Sequence, residues 1–189
     1  MSKYGLDEFV SDVRAVTNRQ SGQQAIVERV KPLLQRLIAN GEVLKPEFKI
    51  PKEQFAVYNL VESEDILVLS AVFLPGQGAP VHDHKTWGAF GILEGQTLDT
   101  RYRRVDDHAQ PGYAKLEVTE TRTLKEGEVA VSWPPDNDIH KVENSSSTVT
   151  TVEVHVYGMD LGKLKRNVYN PETNTVSVIQ ARVPDRRRD

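Results

Sequence analysis

Pro80-Val81-His82-Asp83-His84 and, further along the chain, Asp138-Ile139-His140-Lys141-Val142-Glu143-Asn144 are the stretches on which the fold turns. Side chains on a strand alternate faces, so His82 and His84, two apart, point the same way if this segment is extended. His140 belongs to a second strand. His155 belongs to a third, in Glu153-Val154-His155-Val156-Tyr157, where period two puts Glu153, His155 and Tyr157 on one face. His108, the fifth histidine, sits in the polar stretch Asp106-Asp107-His108-Ala109-Gln110-Pro111 and reads as a solvated loop.

Around these segments the sequence has the texture of a mainly β protein. From residue 55 onward, short runs rich in branched residues (66–73, 129–133, 149–157) are separated by turn signals such as Gly76, Gly95, Pro134-Pro135 and Asn144-Ser145-Ser146-Ser147. Eight to ten strands at this spacing predict a sandwich or closed barrel of jelly-roll type. The first 45 residues differ. Leu6, Phe9, Val10 and Val13 fall on one helical face, and so do Ile26, Val30, Leu33, Leu34, Leu37 and Ile38. Ser21 and Gln24 read as a capping box and Gly41 as a stop, while Pro32 predicts a kink or restart. The expected organisation is one domain over residues 1–189: a helical segment at 1–45, a barrel at 55–170 and a frayed tail at 180–189. The stripe on the helices is expected to pack against the barrel.

Composition narrows the chemistry. The chain has no cysteine, which excludes disulfides, thiolate metal sites and a cysteine nucleophile, and fits a reducing compartment. With 24 Lys and Arg against 27 Asp and Glu, the net charge is −3. Nucleic acid is an unexpected partner, because phosphate binding needs concentrated positive charge. Arg186-Arg187-Arg188 is flanked by Asp185 and Asp189 and reads as a solvated tail. No leader-like or membrane-length apolar run occurs, so the expectation is a cytoplasmic protein with no membrane partner.

The glycine and proline framework around the histidines resembles the cupin superfamily. Gly76, His82, His84 and Gly95 match its first motif, with Gly88 where a glutamate ligand usually stands. Pro135, His140 and Asn144 match its second, with Asn137 in place of a glycine, a residue that tolerates a left-handed turn. The fold implied is a double-stranded β-helix, or jelly-roll barrel, preceded by α-helices. A three-histidine site suits iron, copper, zinc or nickel, and without a carboxylate ligand it favours anions such as a thiolate or carboxylate.

Within that superfamily the segments holding His82-Asp83-His84, Thr86-Trp87-Gly88, His140 to Asn144, His155-Val156-Tyr157-Gly158, Leu161-Gly162 and Arg166 are similar to the thiol dioxygenases. That group comprises cysteine dioxygenase and the bacterial 3-mercaptopropionate dioxygenases. The resemblance implies Fe(II) on His82, His84 and His140. It implies a catalytic relay of His155 and Tyr157, with Glu153 where the group has serine. It implies substrate contacts from Tyr58, Arg166 and Trp87. Tyr58 is expected where the group carries arginine or glutamine, and Gly88 where the animal enzymes have a cysteine cross-linked to the tyrosine. The expected activity converts a small thiol carboxylate, resembling 3-mercaptopropionate or cysteine, and O₂ into a sulfinate. The alternatives are a metal-dependent cupin dioxygenase or isomerase for a non-thiol substrate, and a non-catalytic binding cupin.

Overall fold

Strand-forming sequence and the two-residue period build most of the regular structure. The structure is a computed structural model and describes residues 4–20, 22–53 and 55–180. Two helices come first, α1 (Leu6–Thr17) and α2 (Gln23–Ile38). Eleven strands follow among the described residues, where the sequence predicts eight to ten: β1 (Ala56–Glu62), β2 (Leu67–Phe73), β3 (Gly78–His82), β4 (Gly88–Glu94), β5 (Gln96–Arg104), β6 (Leu116–Lys125), β7 (Val129–Ser132), β8 (Ile139–Glu143), β9 (Thr151–Tyr157), β10 (Arg166–Asn170) and β11 (Thr175–Ile179). The last of these lies beyond residue 170, so the sheet continues past the expected end of the barrel.

The strands form two antiparallel sheets, ordered β1-β2-β9-β4-β7 and β11-β10-β3-β8-β5-β6. From β2 onward the chain passes back and forth between the sheets, which is the winding of a double-stranded β-helix. The five-stranded sheet is covered on both faces. Its inner residues Leu69, Phe73, Phe90 and Ile92 pack inside the barrel, while Val68, Val72, Val154 and Val156 pack outward with Phe9, Val27 and Leu34 of the helices. Every residue of β2 and β9 is consequently buried; β2 reads as a nearly continuous apolar run, whereas β9 alternates Val152, Val154 and Val156 toward the helices with Glu153, His155 and Tyr157 on the other face.

Pro32 does not restart the helix: α2 runs unbroken through it. Proline removes one backbone donor, but position 32 is on the exposed side, where water can solvate the carbonyl left behind. Packing of Val27, Val30, Leu34 and Leu37 holds the helix together on the other side. Ser21 of the expected capping box lies outside the described residues, as do residues 181–189 of the expected tail. No helix among the described residues is long and apolar enough to cross a membrane.

Candidate metal centre

Two adjacent strands and one turn bring three imidazoles together. His82 ends β3 and is directly paired with His140 on β8. His84 follows in a turn that Lys85 completes with a φ of 61°. The Asp138 carboxylate holds that turn, accepting the N–H of His84 at 3.1 Å and of Lys85 at 2.9 Å. The ligand atoms of His82, His84 and His140 lie within 4.8 Å of one another.

The direction of two of the rings is set by an acceptor behind them. His82 Nδ1 lies 2.8 Å from the Pro80 carbonyl and His140 Nδ1 lies 2.9 Å from Asp99 Oδ1. A carbonyl and a carboxylate only accept, so both Nδ1 atoms carry the hydrogen and both Nε2 atoms are bare. His84 Nδ1 faces Asp138 Oδ1 at 3.4 Å. Nε2 of His82 and His84 stand 3.1 Å apart, and Nε2 of His140 is buried without a hydrogen-bond partner. Burial pushes the His82 imidazolium down to about 3 and lowers those of His84 and His140 as well, His140 with the added effect of Arg101. His82 and His140 thus present lone pairs toward one point that His84 Nε2 also faces, an arrangement that a divalent ion satisfies and that apolar surroundings leave unsatisfied. The donor set fits such an ion.

Behind the histidines is a polar layer. Asp99, fully buried on β5, lies 2.9 Å from His140 and accepts from Arg101 Nε at 2.8 Å. Asp83, between the two histidines in sequence, accepts from the backbone and side chain of Asn167 and from the Tyr169 hydroxyl, each at 2.8 Å. It ties β10 to the metal-site turn. Asp83, Asp99 and Asp138 are absent from the residues that the sequence marks as functional.

On β9, Glu153, His155 and Tyr157 form one hydrogen-bonded line. The Thr97 hydroxyl donates to Glu153 Oε1, Glu153 Oε2 lies 2.6 Å from His155 Nε2, and His155 Nδ1 lies 2.9 Å from the Tyr157 hydroxyl. That hydroxyl is 3.3 Å from His84 Nε2, beside the metal site. Burial raises the Tyr157 hydroxyl above its ordinary value, so it remains a phenol at neutral pH. Gly88 pairs with Tyr157 across the sheet, and a Cβ at position 88 would come 2.7 Å from the phenol ring. The tyrosine occupies the room that a side chain there would need.

The histidines and Tyr157 open onto a cavity of about 250 Å³. Arg166 lines it, and its Nε is buried with no hydrogen-bond partner. Two expected substrate residues are elsewhere. Tyr58 is not in the cavity: its hydroxyl donates to the Ile50 carbonyl at 2.8 Å, and Val57 faces inward instead. The expected register is off by one residue, which on a strand exchanges the faces. Trp87 does not reach the cavity either. It is buried in the core between sheet and helices, with Gly158 so close against its indole that a Cβ there would have no room. Asn137 does not use the left-handed region that asparagine tolerates; its amide donates to the Val131 carbonyl at 3.1 Å. Asn144 fastens backbone, donating to the carbonyls of Phe73 and Val149.

Over residues 48–168 the sequence matches the family described as cysteine dioxygenase type I. Among solved structures, a protein of Thermus thermophilus is 22% identical over 61% of this chain and 96% of its own, with a TM-score of 0.46. A cupin superfamily protein of Desulfitobacterium hafniense is 12% identical over 64% of this chain and 88% of its own, with a TM-score of 0.44. A recombinant oxalate oxidase in complex with glycolate is 18% identical over 59% of this chain, with a TM-score of 0.42; the match spans 54% of that enzyme.

Proposed function

The chain belongs to the cysteine dioxygenase type I family, and from that premise we propose that it is an Fe(II)-dependent thiol dioxygenase that converts a small thiol carboxylate and O₂ into a sulfinate. The observation that carries this reading is the convergence of ring nitrogens of His82, His84 and His140 on a cavity that also holds the Tyr157 phenol and the Arg166 guanidinium. The reaction balances without a further reductant: a thiolate gains two S–O bonds, the O–O bond breaks, and sulfur loses the four electrons that O₂ takes up. Divalent iron, when bound, supplies the Lewis acidity that favours thiolate over thiol and the redox capacity that the oxidation needs.

The protein's own residues do the rest. Arg166, half-buried with its Nε lacking a hydrogen-bond partner, brings a guanidinium to the cavity wall, where a substrate carboxylate can take two charge-assisted bonds. Tyr157 keeps a phenolic hydroxyl beside the reacting groups, able to hold or orient a proton there. His155 fixes that hydroxyl, and Glu153, itself held by Thr97, fixes His155. A carboxylate in this place accepts the Nε2 hydrogen, so that in the neutral ring Nδ1 accepts from Tyr157.

Metal analysis of the purified protein, followed by oxygen consumption and sulfinate detection with 3-mercaptopropionate and cysteine, tests the reading. Absence of sulfinate with either thiol at full iron loading overturns it. Tyr157→Phe is expected to lower kcat roughly a hundredfold, the scale of losing one positioned hydrogen-bonding group beside the reacting atoms, with metal content unchanged. Loss of metal in that variant would assign Tyr157 to holding the ion instead.

A further inference from the structure

The walls of the cavity say more about the substrate than its charged corner does. Val57, Leu69, Phe73, Val142, Leu161 and Val168 line it from both sheets and the segment between β9 and β10. Its polar groups are the three converging histidines, His155, Tyr157 and Arg166; no Asp, Glu, Asn, Gln, Ser or Thr is among the described residues that line it. Glu153, the nearest carboxylate on β9, has both oxygens engaged, by Thr97 and by His155, and does not face the cavity. On β1 the inward position is Val57, which offers no hydrogen bond.

Each part of a bound thiol carboxylate then meets a defined environment. The sulfur faces the histidines and the carboxylate has Arg166. The carbon skeleton between them meets hydrocarbon. An ammonium on that skeleton would find no Asp, Glu, Asn, Gln, Ser or Thr among the described wall residues to accept from it, so it would have to lose its proton and bind the ion, a cost that a hydrocarbon skeleton does not carry. A methyl or methylene there is removed from water against Val, Leu and Phe, which is favourable.

We propose that the preferred substrates are thiol carboxylates whose carbon skeleton is purely hydrocarbon and alkyl-substituted, branched or longer than that of 3-mercaptopropionate, and that amino thiols are disfavoured. This rests on the thiol dioxygenase reading for its chemistry but on the cavity walls for its selectivity, and two measurements separate the two.

The first is turnover of the iron-loaded protein. Going from 3-mercaptopropionate to 3-mercapto-2-methylpropionate is expected to raise kcat/KM about fourfold, the effect of one more buried carbon. Cysteine, which adds an ammonium, is expected to fall at least roughly tenfold below 3-mercaptopropionate. The second is binding of sulfur-free acids, by titration calorimetry without turnover. Acetate, butyrate and isovalerate are expected to bind with affinity rising about fourfold per carbon, and Arg166→Ala is expected to weaken each at least tenfold. Cysteine as the best thiol, or an affinity series flat with chain length, overturns the proposal and leaves thiol oxidation standing. A graded affinity series without oxygen uptake from any thiol supports the apolar selectivity and overturns the dioxygenase reading. Binding that ignores Arg166→Ala places the acids elsewhere and also overturns the proposal.

Discussion

His140→Ala is expected to purify with less than roughly a tenth of the metal held by the unaltered protein, measured by elemental analysis after equal exposure to Fe(II). A structural zinc site draws about 10–16 kcal/mol from four ligands. One ligand therefore accounts for about 3 kcal/mol, which is more than a hundredfold in affinity. His140 should be at the upper end, because its Nε2 is the one buried with no other partner and its ring is fixed by Asp99. Metal content close to normal in this variant would mean that the ion sits away from the three histidines.

Asp99→Ala is expected to damage stability and metal affinity together. Asp99 is fully buried and faces two cationic or hydrogen-bearing groups, Arg101 Nε at 2.8 Å and His140 Nδ1 at 2.9 Å. Removing one partner of a buried ion pair leaves the other uncompensated and costs about 3–5 kcal/mol. For a chain of this size that is a fall in Tm of roughly 10 °C. The loss of the group orienting a metal-binding histidine is expected to weaken metal binding about 10–100-fold. Asp99→Asn separates the two effects, since its amide oxygen still accepts from His140 while the charge facing Arg101 is gone. It should fall in Tm and keep most of the metal affinity. An alanine variant with unchanged Tm and unchanged metal affinity would show that Asp99 neither neutralises Arg101 nor holds His140.

How far the site is legible in the sequence depends on whether its parts lie on one strand. The His82–His84 pair and the Glu153–His155–Tyr157 line can be read because a period of two is a local property, and His140 because its proline and asparagine neighbours have a recognisable spacing. The jelly-roll class and the helical preface follow from the same kind of local pattern. Asp99 cannot be read in this way. In Gln96-Thr97-Leu98-Asp99-Thr100-Arg101-Tyr102 the usual reading of alternation sends Leu98 and Tyr102 inward and the polar residues to water. The structure inverts it, burying Thr97, Asp99 and Arg101 because they back the relay and the metal site. Asp138 and Asp83 act across 54 and 84 residues of chain, on His84 and Asn167, and no local pattern announces such partners. Tyr58 shows the opposite hazard: the strand is legible, yet a shift of one residue separates a cavity wall from an outer face.

The burial of β9 on both sides has a consequence for how the protein breathes. Local opening is cheapest where little apolar surface is covered and dearest where both faces are. Every side chain of β9 is covered, by the barrel interior on one face and by the helical layer on the other, and the strand is hydrogen-bonded along both edges, to β2 and β4. Its amide protons should therefore exchange with deuterium only through the rarest, most global unfolding events, whereas those of the outer strand β11 exchange early. The line of proton-holding groups is thus mounted on one of the two most completely covered strands of the molecule.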